Sequence, residues 1–416
     1  MKRYYSENEV LSDSISNELA AFYRHHLLQE ILPHWKELSL DETYGGYETN
    51  FDENWAISGD TKNVWAQSRN LIMFSLIYQY AEQDARWMEL ISSGRDFLVN
   101  HFYAGNGLWN YRVSNDGLIV LEGPISLLGD MFAMEALSRY VIVSGDQQDI
   151  PLIQATYQTV KTHLLNPDYQ NIMPHIWQPG LERHSHYMLM VNALESVEQV
   201  LGRETVHHFL MECIDKILYF FCGTGRDSYL FEYRNLDASI VHGDSGHLIN
   251  PGHIFESMWF CLRVCLAEND ERRIRRILEI TDRTFDMAID RKYGGFFHLL
   301  DCTGKAAFVQ ADIRNRQLNW NDKVDWVNAE ALYLLALIAV TTKESDDFKK
   351  FILHHNYCQK YFYDRVNGDW TATLSQCGTP LSNIKGMKHR CAFHVPRSVL
   401  DTYLVFETFS KLSNEE

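Results

Sequence analysis

Two histidines in this sequence stand where an imidazole can do proton-transfer chemistry. The first lies in Asn250-Pro251-Gly252-His253-Ile254-Phe255-Glu256. Asn250 can cap a helix and Pro251 suits its first position, so a helix is expected to start here. His253 then falls in the first turn, with Glu256 three residues on and on the same face. The positive end of a helix disfavours imidazolium and favours an anion formed nearby, as a general base requires. The plain alternative is a polar helix start with a satisfied His–Glu pair. The second histidine lies in Cys391-Ala392-Phe393-His394-Val395-Pro396-Arg397, where Pro396 again marks a helix start. One histidine beside Phe and Val is more often a core residue. Two histidines placed alike at two helix starts shift that balance towards chemistry.

Two further segments carry groups that could hold a ligand. In Lys62-Asn63-Val64-Trp65-Ala66-Gln67-Ser68-Arg69, Trp65 and Arg69 are four apart and share a helix face. An arginine on an apolar inner helix is costly unless paired. It is either a fixed donor to a ligand oxygen or half of a structural Arg–carboxylate pair. In Lys323-Val324-Asp325-Trp326-Val327-Asn328-Ala329-Glu330, Trp326 and Glu330 share a face in the same way. An indole there can stack on a sugar ring and a carboxylate can accept a hydroxyl; otherwise Trp326 is core and Glu330 caps or pairs. The sequence contains no His-Glu-x-x-His, P-loop, Gly-x-Ser-x-Gly or Gly-x-Gly-x-x-Gly pattern. His253-x-x-Glu256 could form half a metal site, but no second ligand pair accompanies it, so no metal is expected.

The elements that must position these groups recur with a period of about sixty residues. Asp41-Glu42-Thr43-Tyr44-Gly45-Gly46-Tyr47 is echoed closely by Asp290-Arg291-Lys292-Tyr293-Gly294-Gly295-Phe296. Weaker echoes stand at 105–109, 166–169, 225–229 and 364–370. Each separates two long stretches of helical periodicity. Twelve such stretches fall near 13–35, 62–81, 85–102, 125–144, 149–165, 184–202, 204–222, 252–268, 270–288, 324–342, 346–361 and 395–412. Paired in order they make six helical hairpins, which can close into a ring with one helix of each pair inside. The expected fold is all-α: an (α/α)6 barrel in one domain spanning 1–416. Short β-hairpins are expected in the loops near 295–300 and 369–374. A funnel at one end of such a barrel is the natural ligand site.

Composition narrows the function classes. The 416 residues are 46% hydrophobic and 22% charged, as in soluble globular proteins. A formal charge of −17 repels phosphate backbones and anionic membranes, so neither nucleic acid nor a membrane is an expected partner. No apolar run approaches a spanning helix, and no apolar segment follows the basic residues of the N-terminus. The 8 cysteines lack zinc spacing and read as reduced thiols. A cytoplasmic location is expected. The sequence reveals no oligomeric state, and a homodimer is left open.

Taken together, these segments resemble the N-acylglucosamine 2-epimerase family. Asn-Pro-Gly-His-x-x-Glu at 250–256 runs on into Trp259-Phe260-x-Leu262-Arg263. Asn383-Ile384-Lys385-Gly386 followed by Phe393-His394-Val395-Pro396-Arg397 is similar to the family's C-terminal signature. Val64-Trp65-x-Gln67-x-Arg69 resembles its N-terminal signature, and Tyr293-Gly294-Gly295 its mid-chain turn. The resemblance implies an (α/α)6 barrel that epimerises or isomerises a free monosaccharide without metal or cofactor. It implies that His253 and His394 remove and return the C2 proton on opposite faces, and that Arg69 holds the enediolate oxygens. It places Trp65, Asn192, Glu256, Asp325, Trp326 and Glu330 around the sugar. Asn192 matches the Asn of N-acylglucosamine epimerases, where cellobiose epimerases have His.

The sequence departs from the family pattern in two places. Trp-Trp-Pro-His reads Asp325-Trp326-Val327-Asn328, and Lys-Gly-Gly reads Lys385-Gly386-Met387. A wall that exchanges an indole for a carboxylate suits a hydroxyl better than an acetamido methyl. D-Mannose–D-glucose interconversion is therefore the expectation, with N-acetylglucosamine–N-acetylmannosamine as the alternative. An aldose–ketose isomerase, such as a mannose–fructose enzyme, would share the first step. A glycoside hydrolase using two of Glu256, Asp325 and Glu330 is the rival outside the family, and a non-catalytic binding protein is a third class.

Overall fold

The computed structural model describes residues 2–166, 180–223, 229–303, 306–307 and 319–413. The echoes at 166–169 and 225–229 lie almost wholly outside these residues. Twelve long helices are found among them, at the expected places. The outer set is α1 (13–38), α3 (85–102), α5 (Ile150–Leu164), α7 (203–220), α9 (Glu271–Ala288) and α11 (Ser345–Tyr361). The inner set is α2 (Val64–Tyr80), α4 (Leu127–Ser144), α6 (His184–Leu201), α8 (Pro251–Ala267), α10 (Asp325–Thr342) and α12 (His394–Ser413). Outer helices α1, α3 and α7 each contain a π-helical turn.

Burial separates the two sets. In α10, 14 of 18 residues are buried, so the helix is apolar nearly all round and must be enclosed. In α9 only Ile274, Ile277, Ile280, Thr281, Thr284 and Ala288 are buried, a single stripe with charged residues elsewhere. Each buried isoleucine contributes about 2 kcal/mol to holding that stripe against the inner ring. Inner helices pack on their neighbours in chain order, and α12 returns to α2 to close the ring.

The repeated turn has a repeated physical cause. Asp41 Oδ1 accepts the amides of Thr43 and Tyr44, and Asp290 Oδ1 those of Lys292 and Tyr293. Two glycines follow at positive φ: Gly45 and Gly46 in one turn, Gly294 and Gly295 in the other. The second oxygen of each aspartate takes a buried lysine that stands two residues before an inner helix. Lys62 Nζ lies 2.5 Å from Asp41, and Lys323 Nζ 3.1 Å from Asp290. The aromatic after each turn donates its amide to the fourth residue of the inner helix: Tyr47 to Gln67, Trp109 to Asp130 and Phe296 to Asn328, each at 2.9 Å. The echo in the sequence is thus, at 41–47, 105–109 and 290–296, a joint to the first turn of α2, α4 and α10.

Among the described residues, strands occur only as short pieces in the loops. Residues 373–382 form the expected local hairpin, Thr373–Leu374 with Pro380–Ser382, and Lys323–Val324 adds to it. The expected hairpin near 295–300 is corrected. Leu300–Asp301 pairs with Leu248–Ile249 of the preceding repeat, and Phe296 makes only an isolated bridge to Ile289. The reason is that strands entering inner helices pair with the next loop around the ring. Thr61–Asn63 with Arg112–Ser114 and Leu181–Arg183 with Tyr233–Asn235 follow the same rule. None of the eight cysteines is bridged. No helix of the described residues is long and apolar enough to cross a membrane.

Candidate active site

Long loops lead from outer to inner helices, and only short links lead back. All six inner helices therefore run the same way, with their positive N-terminal ends converging at the long-loop end. His253 is in the first turn of α8, where Asn250 Oδ1 accepts its amide at 3.3 Å. His394 is the first residue of α12. The indole of Trp326, second in α10, lies between them, with ring centroids 5.6 Å from His253 and 5.4 Å from His394. Gly252 makes room for it, since a Cβ at that position would overlap the Trp326 ring.

Each imidazole is held by a carboxylate at Nδ1. His253 Nδ1 is 2.8 Å from Glu232 Oε2, and His394 Nδ1 is 2.6 Å from Glu330 Oε1. An Nδ1–H donated to a carboxylate leaves the lone pair on Nε2, the nitrogen free for proton transfer. Burial works against charge on Glu232, but His253 and then Arg183 outweigh it and hold its carboxyl well below the ordinary range. Burial pushes His394 well below the ordinary imidazole range. Glu256 opposes this, while Arg69 and Arg397 reinforce it. His394 is therefore neutral at neutral pH, the state a base needs.

The His253–Glu256 pair, the plain alternative for this helix start, does not form. Glu256 turns away to Arg397, whose Nη2 donates to Glu256 at 2.6 Å and to Glu330 at 2.8 Å. Trp259 Nε1 donates to the other oxygen of Glu330 at 2.7 Å. Glu256, Glu330 and His394 place ligand-type atoms within 4.8 Å of one another, a set that could hold a cation. The guanidinium of Arg397 supplies the positive charge between those two carboxylates. Burial raises Glu330, and Arg397 opposes it.

Arg69 is buried and has no carboxylate partner among the described residues, so the structural ion pair considered for it is absent there. Its guanidinium lies 4.4 Å from the Phe132 ring centroid and 5.0 Å from that of Phe393. Its one direct hydrogen bond is a long one, 3.5 Å, to the carbonyl of His389, and its buried Nε has no partner. Burial lowers its proton affinity, yet guanidinium stays charged in proteins. Trp65 packs 5.6 Å from it and donates its indole N–H to Ser126.

Two further candidates are hydrogen-bonded to groups other than the histidines. Asp325 is buried, and Arg390 Nε donates to its Oδ2 at 2.7 Å while Trp326 N donates to Oδ1. Its neighbour Asn328 is fully buried and serves Phe296 N and Val324 O. The polar wall expected from this segment is thus committed to structural partners. Asn192 sits in the third turn of α6 and donates to Glu135 Oε2 at 2.6 Å. Burial pushes the Glu135 carboxyl up to about 7.

Sequence reasoning missed Glu232, Arg397 and Arg390 as supports of the site. Arg397 stood in a quoted segment, three residues after His394, and could have been found on the face shared with it. Nothing local ties Glu232 to His253, because the two meet only when the fourth loop folds back over α8.

The sequence model of the family described as N-acylglucosamine 2-epimerase (GlcNAc 2-epimerase) matches residues 45–395. The N-acylglucosamine 2-epimerase of Mus musculus is 26% identical over 390 residues, covering 89% of this chain and 88% of the relative. Among solved structures, the cellobiose 2-epimerase from Bacillus thermoamylovorans B4167 superposes with a TM-score of 0.78 at 18% identity, covering 93% of this chain and 99% of that one. A D-mannose isomerase superposes with a TM-score of 0.76 at 16% identity, covering 95% and 98%. The fold is that of these sugar epimerases and isomerases, and the match over most of its length makes this chain a member of the N-acylglucosamine 2-epimerase family of sugar-isomerising enzymes.

Proposed function

We propose that this protein inverts C2 of a free aldose through an enediolate, with His253 and His394 as the two proton-transfer groups. The observation that carries the reading is the pair of His–carboxylate dyads on either side of Trp326. Inversion needs proton removal on one face and delivery on the other, and two imidazoles presented from different helices supply both. The C2 proton of an aldose is weakly acidic, so a base and an oxyanion donor must act together. Arg69, unpaired and caged by aromatic rings, supports the oxyanion role. The converging helix ends add positive potential where the enediolate forms.

Substrate choice is the finer part of the proposal. Mannose–glucose is the first pair to test. The reading for N-acetylglucosamine–N-acetylmannosamine gains from two observations: Asp325 and Asn328 are tied to structural partners, and the curated relatives carry the N-acyl name. A glycoside hydrolase draws little support, since Glu256 and Glu330 are buried and share Arg397, and Asp325 is held by Arg390. The experiment is a proton NMR time course of mannose, glucose and N-acetylglucosamine in D2O. Epimer formation with deuterium at C2 is expected. Fructose as sole product from mannose makes the enzyme an isomerase, and no exchange with any of the three rejects the reading.

A further inference from the structure

A cavity lies behind the histidine pair. It encloses about 650 Å³, a volume typical of small-molecule sites. Tyr80, Lys343 and Phe409 line its outer part, all near the C-terminal ends of inner helices, so it reaches the surface at the face opposite the long loops. Trp259 and Arg397 line its inner part. These two residues donate to Glu330, the carboxylate that holds His394. One layer of side chains therefore separates the cavity from the dyad.

The charges in this cavity are not balanced. Arg263 is paired, 3.0 Å from Glu195 and 3.9 Å from Asp401. Arg139 is only 5% exposed, has no ion pair among the described residues, and leaves its buried Nε without a partner. Its acidic neighbour Glu135 is engaged by Asn192 and is only partly ionised near neutral pH. Arg397 spends Nη2 on the two glutamates and leaves Nε and Nη1 without partners. Unsatisfied buried guanidinium donors are costly unless a ligand or water meets them. The converging helix carbonyls explain why cations gather at this end. An anion would have to bind those side chains, not the helix ends. Trp259, Tyr333 and Phe409 offer it apolar and aromatic walls.

We propose that this back cavity is a second ligand site, taking a small organic anion whose carboxylate or phosphate meets Arg139 and Lys343 and whose apolar body lies against the aromatic walls. The site goes beyond the epimerase reading, and its binding test does not depend on which sugar is turned over. Contact with Arg397 would couple the ligand to Glu330 and so to His394.

The test is calorimetric titration of the full chain with benzoate and phenyl phosphate, with benzyl alcohol as the neutral control. Saturable binding of at least one anion with a Kd of about 1 mM or tighter is expected, at least tenfold tighter than benzyl alcohol. Arg139→Gln should weaken it about tenfold or more. Lys343→Asn is the second variant; Lys343 is exposed at φ 59°, a conformation Asn tolerates, so folding is kept. Weakening in either folded variant supports the site. Binding that neither variant changes, anions no tighter than benzyl alcohol, or no saturation by about 50 mM, well above the Kd expected from the affinity scale, overturns it.

Discussion

Glu330 accepts the Nδ1 proton of His394 at 2.6 Å across 64 residues of sequence, while Arg397 and Trp259 fix the same carboxylate from behind. The imidazole is thereby aimed by groups from α8, α10 and α12 together. His253 and Glu232 form the matching dyad with one arginine, Arg183, 3.1 Å from the carboxylate.

If the dyads move the C2 proton, His253→Asn and His394→Asn should each lower kcat by about 10²-fold or more. Glu232→Gln should lower it by about 10- to 100-fold, in the range for groups that orient a reacting imidazole. Steady-state kinetics on variants with wild-type circular dichroism checks both. Near-normal turnover in either histidine variant removes that residue from the mechanism.

Arg69→Lys should reduce kcat more than it raises KM. A lysine supplies one point charge and cannot reproduce the planar fork of donors between Phe132 and Phe393. A variant with normal kcat and only a higher KM would make Arg69 a group that positions ground-state sugar.

Gly252→Ala probes the indole between the two dyads. The added methyl overlaps the Trp326 ring, so either α8 or the ring must shift, at a cost of about 1–3 kcal/mol typical of overpacking. A lower Tm is expected together with a fall in kcat. An unchanged kcat would show that Trp326 need not hold its place between the histidines.

Acid stability follows from neutral buried histidines. Burial depresses His184, His186 and His355 to about 3 and His354 to about 4. A group depressed on folding stabilises fully above its unfolded pKa, about 6.5, and that contribution is lost as pH falls from there towards the folded values. Glu135 and Asp401, pushed up by burial to about 7 and about 6, act in the opposite sense over part of that range. Burial depresses His26, His163 and His394 as well, and raises Glu48, Asp130 and Glu330. With seven depressed histidines against five raised carboxyls among the described residues, Tm should fall between about pH 6.5 and 4. A flat or rising Tm over that interval contradicts the assignment.

Activity should survive exhaustive EDTA treatment. Glu256, Glu330 and His394 have the composition of a metal set, but Arg397 already bridges the two carboxylates. Loss of activity that zinc or manganese restores would show that a cation can displace that guanidinium and that the reaction needs it.

Much of the architecture was legible because it is written in local patterns. The close echo at 41–47 and 290–296 marks an Asp-capped, glycine-bearing turn, and a buried lysine and an amide acceptor at the starts of α2 and α10 answer to it. Asn250-Pro251 marked the start of α8 and Pro396 that of α12 to within a residue, since caps and proline act through neighbouring backbone. The two histidines followed from those helix starts. Partners did not follow. His253-x-x-Glu256 has the spacing of a pair, yet Glu256 finds Arg397 and His253 finds Glu232. Asp325 changes the family pattern towards polarity, and its partner Arg390, 65 residues on, could not be read from that segment. Helix periodicity fixes which residues share a face, because that depends on 3.6 residues per turn alone. Which of two carboxylates an imidazole meets depends on how separate helices and loops are packed side by side in the closed ring, and only the tertiary structure decides that.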